Sequence, residues 1–246
     1  MQLFLADQIN PTQAVLGNDE SHHLCKVLRK DFGDTIFITD GKGKSAKAKI
    51  SLAHPKQCLL EVLELQEHAQ ELDITLAVAF PKSRDRVEWL VEKAIELGCT
   101  HIQPIICKNS ERSKLNTERL QKIALSAMKQ SAQFFLPNIA EALPYSKWMQ
   151  HEHEQIQKWI AYCPTGLEQN LMQQDIKPGK QVILIGPEGD FSKEEVDLAL
   201  EKGYQNISLG KFRLRTETAA LAAINILSQK LSAHENNQGS PHFSQH

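Results

Sequence analysis

The spacing of apolar residues changes character near residue 70. Before that point, short apolar runs alternate with polar positions. Gln2–Ala6, Thr35–Thr39, Ser45–Leu52 and Gln57–Leu65 read as strands, and Asp40-Gly41-Lys42-Gly43 is hairpin-turn chemistry between two of them. Asp19 or Ser21 is placed to cap a short helix running through Arg29. Short strands in so small a segment are most economically closed, or partly closed, into a barrel.

From residue 73 the runs lengthen and helical spacing enters. Ile74–Phe80 is continuously apolar, as a strand buried on both faces requires. Asp85 can cap a helix through Leu97 that Gly98 ends, with Trp89, Leu90, Ile95 and Leu97 assigned to core or interface. Ile102–Cys107 is the next strand, and Asn116 or Thr117 opens a helix to Gln130. Further along, Tyr145–Gln157 reads as helix, Trp159–Cys163 as strand and Thr165–Met172 as a short helix. Val182–Ile185 and Ile207–Leu209 are strands, and a last helix spans Glu217–Ser232. Strands alternating with helices predict an α/β domain with a mainly parallel sheet. The expected organisation is a β-rich domain at 1–70, a polar linker near Gln66–Glu71, an α/β domain at 73–232, and a polar tail at 233–246 too poor in apolar residues to fold.

Composition narrows the classes. With 41% hydrophobic and 24% charged residues the chain is globular in type. A net charge of -2 gives no global nucleic-acid footprint, so any such surface must be local. Two segments qualify: 22–49, which contains Lys26, Arg29 and Lys30, and 108–129, which contains Arg112. For any single lysine a solvated face is the more ordinary role. The five cysteines include no Cys-x-x-Cys pair and are expected to be reduced thiols. No metal-ligand spacing appears among the histidines, and no apolar run reaches membrane-spanning length, so a cytoplasmic protein without metal or membrane partner is expected.

The densest chemistry lies in Ile183–Glu195. An apolar strand runs into Gly186-Pro187-Glu188-Gly189, and Ser192 with Glu195 forms a capping box opening the next helix. Strand, glycine turn and helix place a small ligand at the carboxyl end of a sheet. Neither the dinucleotide fingerprint nor a P-loop is present. Pro187 removes an amide donor, and Glu188 and Asp190 would repel a polyphosphate. A positively charged ligand fits better, and an ordinary strand-to-helix connection fits equally well from this loop alone. A second strand, Ile207-Ser208-Leu209, ends in Gly210 and leads through Lys211-Phe212-Arg213-Leu214-Arg215 to Thr216, a plausible N-cap, and Glu217, suited to the first turn of a helix.

The two motifs together, Gly186-Pro187-Glu188-Gly189 and Leu209-Gly210 through Leu214-Arg215-Thr216-Glu217-Thr218-Ala219, resemble those of the knotted SPOUT methyltransferases, and more narrowly the ribosomal RNA small subunit methyltransferase E family. The resemblance extends from the N-terminal domain to about Leu231, and Arg29 stands in a matching His23-Leu24-x-x-Val27-Leu28-Arg29 pattern. It implies a PUA-like barrel ahead of an α/β domain tied in a deep trefoil knot, which periodicity alone does not reveal. It also implies a homodimer acting on 16S ribosomal RNA or the small ribosomal subunit, methylating N3 of a uridine, uridine 1498, with S-adenosylmethionine. On this reading Ile185, Gly186, Pro187, Glu188, Gly189, Leu209, Gly210, Leu214, Thr216, Thr218 and Ala219 hold the cofactor. Arg215 would neutralise the oxygen that gains charge, and Glu217 would take a proton or orient Arg215. For Glu217, a carboxylate complementing the helix dipole is an equal alternative. Lys26, Arg29, Lys30 and Arg112 would face RNA. The stretch Met128–Pro137 departs from the family pattern, keeping Gln130 and Pro137 without its arginine. A SPOUT enzyme with another RNA target, an inert RNA-binding module and a small-molecule α/β enzyme are the competing readings.

Overall fold

A computed structural model describes residues 2–111, 115–150, 157–163 and 169–236. Its contacts divide the chain into two units, one of residues 1–70 and 125–136, the other of 71–124 and 137–246.

The first unit is a closed barrel. Strands β1 (Leu3–Ile9), β2 (Gln13–Leu16), β3 (Thr35–Thr39), β4 (Lys44–Leu52) and β5 (Cys58–Glu67) run in the order β1-β2-β5-β4-β3, and parallel pairing of β1 with β3 closes it. Alternation drives the closure: Ala46, Ala48 and Ile50 of β4 point inward with Leu16, Ile38, Cys58 and Leu60, while Lys47 and Lys49 point out. β2 was not expected, because Gln13–Leu16 is too short to show a period. The expected helix through Arg29 is also different. It is a five-residue helix α1 (Asn18–His22) continuing as a π-helical turn over His23–Val27. Ser21 cannot cap it, because its hydroxyl is buried, donating to the Leu16 carbonyl at 3.1 Å and accepting from the Cys58 amide at 2.8 Å.

Residues 133–136 lie along the β3–β4 turn of this unit. The Gly43 amide donates to the Phe134 carbonyl, the Leu136 amide to the Gly41 carbonyl, and Phe134 stacks on His68 with centroids 4.0 Å apart. Gly43 has φ +101, and a Cβ there would fall 2.5 Å from the Phe135 ring. Residues 133–136 are therefore a strap on the barrel hairpin.

The second unit holds a sheet ordered β12-β10-β11-β6-β7-β8, from strands β6 (Ile74–Val78), β7 (His101–Ile106), β8 (Asn138–Ile139), β10 (Gln157–Ala161), β11 (Gln181–Ile185) and β12 (Gln205–Ile207), with β9 (Leu143–Pro144) pairing β7. Every pairing is parallel. All residues of β6 and β11 are buried, matching their unbroken apolar runs at the sheet centre. The connecting helices are α2 (Arg84–Glu96), α3 (Thr117–Gln130, of which residues from 125 on belong to the first unit), α4 (Tyr145–Trp148), α5 (Lys193–Glu201) and α6 (Thr216–Asn236). α6 buries Ala220, Ala223, Ile224, Leu227 and Leu231 along one stripe and packs on α2, β6 and β11.

Several boundaries differ from expectation. Ser83 occupies the N-cap of α2, leaving Asp85 in the first turn, where a carboxylate complements the helix dipole. Of the helix expected over Tyr145–Gln157, Tyr145–Trp148 are helical and Gln157 is already in β10, opposite Gln181; residues 151–156 lie outside the described residues. Of the helix expected over Thr165–Met172, residues 164–168 lie outside the described residues, and Leu171–Gln173 form a 3₁₀ turn capped by the Asn170 side chain. α6 continues to Asn236, past the boundary expected at 232. The rest of the expected tail lies outside the described residues.

Candidate active site

Parallel register sets the site. Ala161 of β10 is level with Ile185 of β11 on one side and Ile207 of β12 on the other, so the carboxyl ends of these three strands finish together. The two glycine-bearing motifs, residues 186–192 and 208–215, leave from this one edge, as does the chain after Ala161. Val78, at the end of β6, is level with Ile185, so the first turn of α2 rises from the same edge. Such an edge is where open α/β sheets bind ligands.

The first motif is held at every step. Asp190 donates its amide to the Pro187 carbonyl at 2.9 Å and has φ +63, so the left-handed residue of this turn is Asp190 and not a glycine. The glycines serve close approach. A Cβ on Gly186 would lie 3.1 Å from the Phe191 ring, and one on Gly189 would lie 3.0 Å from Asn109 Cβ. Asn109 Nδ2 donates to the Gly189 and Asp190 carbonyls at 3.1 and 3.0 Å. The capping box forms as expected, and Glu195 also accepts the Lys108 amide at 2.8 Å. Phe191 is buried against Tyr145.

The second motif is tied at both ends. Ser208 donates its amide to the Gln169 carbonyl and accepts from the Leu171 amide. At the other end, Thr216 is not the cap but the first residue of α6, and its hydroxyl donates to the Gly186 carbonyl at 3.1 Å, joining the two motifs. Between these ties Gly210 has φ +139, with no heavy atom within 4 Å of where a Cβ would stand.

Arg86, which sequence reasoning did not single out, connects the parts. Its Nε and Nη2 donate to the two carboxylate oxygens of Glu217 at 2.8 and 2.5 Å, and its Nη1 donates to Glu188 at 3.1 Å. One guanidinium thus joins α2, the Gly-Pro-Glu-Gly loop and the start of α6. Glu217 is 6% exposed. Burial pushes its carboxyl up, but the Arg86 hydrogen bonds and charge outweigh burial, and the net effect holds it below the ordinary range. The partner of Glu217 is therefore Arg86 and not Arg215, which is exposed and acts on Glu217 only through its charge. A local signal for Arg86 existed only in the basic start of α2.

The other expected residues distribute as follows. Ile185 and Pro187 are buried, Glu188 and Gly189 are exposed, Leu209 and Leu214 are half-buried, and Thr218 and Ala219 lie in the first turn of α6. In the barrel unit, Lys26, Arg29 and Lys30 cluster at the end of the π turn, and Arg29 has φ +55. Lys47 and Lys49 pair across the sheet with Glu64 and Glu61, a mixed face with little net charge. Arg112 lies outside the described residues. Burial pushes the Cys99 thiol up to about 12 and the Cys107 thiol higher still, so neither is a thiolate nucleophile at neutral pH. No described helix is long and apolar enough to cross a membrane.

This architecture has known counterparts. A family model described as an RNA methyltransferase domain matches residues 68–228, and one described as an RNA methyltransferase PUA domain matches residues 16–63. The ribosomal RNA small subunit methyltransferase E of Synechocystis is 33% identical over 231 residues, covering 90% of this chain and 75% of that protein. The chain belongs to the ribosomal RNA small subunit methyltransferase E family. A solved structure of a member of this family from Neisseria gonorrhoeae, bound to S-adenosylmethionine, superimposes with a TM-score of 0.82 at 30% identity, over 93% of this chain and 97% of that one. A structure described as a probable rRNA-methyltransferase from Porphyromonas gingivalis gives 0.86 at 35% identity, over 95% and 100%. The barrel is thus the PUA domain and the α/β unit the SPOUT methyltransferase domain of this family.

Proposed function

We propose that this chain methylates N3 of a uridine in 16S ribosomal RNA, at uridine 1498, using S-adenosylmethionine, and that it works in the cytoplasm as a homodimer on the RNA or on the assembled small subunit. The observation that carries this reading is the Arg86 bridge and Thr216 hydroxyl that lock the two glycine motifs to one another at one sheet edge. The residues present fit the cofactor. Open space beside Gly210 admits a ligand against bare backbone, and Asp190 suits a cationic group and opposes a polyphosphate, while Glu188 is already paired with Arg86. Ile185 to Gly189 with Leu209, Gly210, Leu214, Thr216, Thr218 and Ala219 would hold it, and when bound it supplies a methyl group on a sulfonium.

The chain's own residues then position and stabilise. Arg215, exposed at the end of the second motif, would meet the uridine oxygen that gains charge as N3 loses its proton. Glu217, buried, paired and held below the ordinary range, is a weak base at neutral pH; it acts by fixing Arg86, and through Arg86 the Glu188 loop. The left-handed Arg29, with Lys26 and Lys30, would contact RNA phosphates, reading shape more than sequence.

The test uses small subunits and 16S RNA from cells lacking this protein, incubated with it and isotopically labelled S-adenosylmethionine. Nuclease digestion and mass spectrometry should place one labelled N3-methyluridine at position 1498. Label at another nucleotide would reassign the target, and no label in either substrate would overturn the reading.

A further inference from the structure

Phe212 is 84% exposed, an unusual setting for a phenylalanine. It sits midway between the two ties of the second motif, the Ser208 backbone pairing and the Thr216 hydroxyl, on the loop that Gly210 turns through φ +139 with open space beside it. Lys211, Arg213 and Arg215 are also exposed, so three cations flank Phe212 within five residues of chain and no acid interrupts them. The acids across the site are Glu188, already engaged by Arg86, and Asp190, which feels the charge of Arg213. An exposed aromatic residue in a basic stretch of loop is the chemistry of single-stranded RNA recognition. Bases stack on the ring while the cations follow the phosphates, and unpaired nucleotides are the ones with faces to offer.

We propose that Phe212 is a base-stacking platform that receives an unpaired nucleobase of the RNA substrate beside the methyl-transfer site, with Lys211 and Arg213 holding the flanking phosphates. This rests on the methyltransferase reading and deepens it, since the cofactor pocket needs loop backbone whereas this role needs an aromatic side chain. A flat ring is essential, so an aliphatic residue of similar bulk should not substitute.

The experiment compares full-length wild type with Phe212→Ala, Phe212→Leu and Phe212→Trp. Each is measured for affinity to unmethylated 16S RNA by filter binding, for S-adenosylmethionine affinity by calorimetry, and for mass by sedimentation. Alanine and leucine should both weaken RNA binding by about tenfold, a typical loss for one stacked base, and tryptophan should keep wild-type affinity. Cofactor affinity and sedimenting mass should be unchanged in all four proteins. Leucine binding RNA as well as wild type, or alanine causing no loss, overturns the proposal. Weaker cofactor binding would make Phe212 a pocket wall, and a smaller sedimenting mass would make it a contact between copies; either result also overturns it. These readouts do not depend on methyl transfer, so failure of wild type to label RNA counts against the proposed function and not against the platform.

Discussion

Arg86 and Glu217, 131 residues apart in sequence, meet in two parallel hydrogen bonds of 2.8 and 2.5 Å, and the third arm of the guanidinium reaches Glu188. This fork geometry is specific to arginine. Arg86→Ala leaves the Glu217 carboxylate buried without its cation, and should cost about 3 kcal/mol, the lower end for breaking a buried pair because the Arg86 side chain keeps 30% exposure. Arg86→Lys should recover little of it. Replacing both partners, Arg86→Met with Glu217→Leu, should cost less than the two single changes together, because no charge is stranded. Urea unfolding of wild type, Arg86→Ala, Arg86→Lys, Arg86→Met, Glu217→Leu and the double variant measures each value, and strict additivity would show that the pair is not coupled.

The same pair gives the protein a pH dependence of known sign. The carboxyl of Glu217 lies below its ordinary value of 4.5 when folded, so its contribution to stability is complete above that value and is lost as pH falls through the lower, folded one. Wild type should lose stability on acidification below pH 4.5 more steeply than Glu217→Gln, with the two curves parallel above pH 6. Parallel curves down to pH 3 would remove Glu217 from the acid response.

Glycines 189 and 210 should fail in different ways. At Gly210 the backbone itself is the obstacle, since φ +139 is a region L residues rarely adopt, and Gly210→Ala should strain the loop by about 1–3 kcal/mol although nothing clashes. At Gly189 the obstacle is Asn109, 3.0 Å from the added methyl, so Gly189→Ala should displace Asn109 and loosen its hold on the 189 and 190 carbonyls. Both should weaken S-adenosylmethionine binding in calorimetry. Only Gly189→Ala should be partly rescued by Asn109→Gly, which removes the obstructing Cβ.

What could be read from the sequence was what is local. Ser192 and Glu195 declare a capping box within four residues, and the box is present. The apolar runs of β6 and β11 declared central strands because both faces are buried. The Gly-Pro-Glu-Gly turn was recognisable, but its left-handed residue is Asp190, since tertiary ties to Asn109 hold a conformation that composition assigns to glycine. Thr216 resembled a cap by residue type, yet its hydroxyl serves a carbonyl 30 residues away. Beyond the basic start of α2, Arg86 gave no local sign of its role, because its partners, Glu188 and Glu217, are 102 and 131 residues away in sequence. Phe212 has the composition of a core residue, and only its exposure shows otherwise.

Arg29 allows RNA contact to be separated from folding. It is the one residue of the barrel's basic cluster with a left-handed backbone, at φ +55, just after the π turn in which the Leu28 amide reaches the His23 carbonyl at 3.1 Å. An L side chain held there is mildly strained, so Arg29→Gly should leave stability unchanged or raise it by up to about 1 kcal/mol. Arg29→Ala keeps the strain and should not be stabilising. If the guanidinium contacts a phosphate, both variants should weaken binding to 16S RNA to the same degree, and the slope of log affinity against log salt should shrink by about one ion. Lys47→Ala should change that slope far less, because Lys47 lies opposite Glu64 and adds little net field. Equal salt slopes for wild type and Arg29→Gly would place the RNA elsewhere on the protein and leave the left-handed turn as a feature of barrel packing alone.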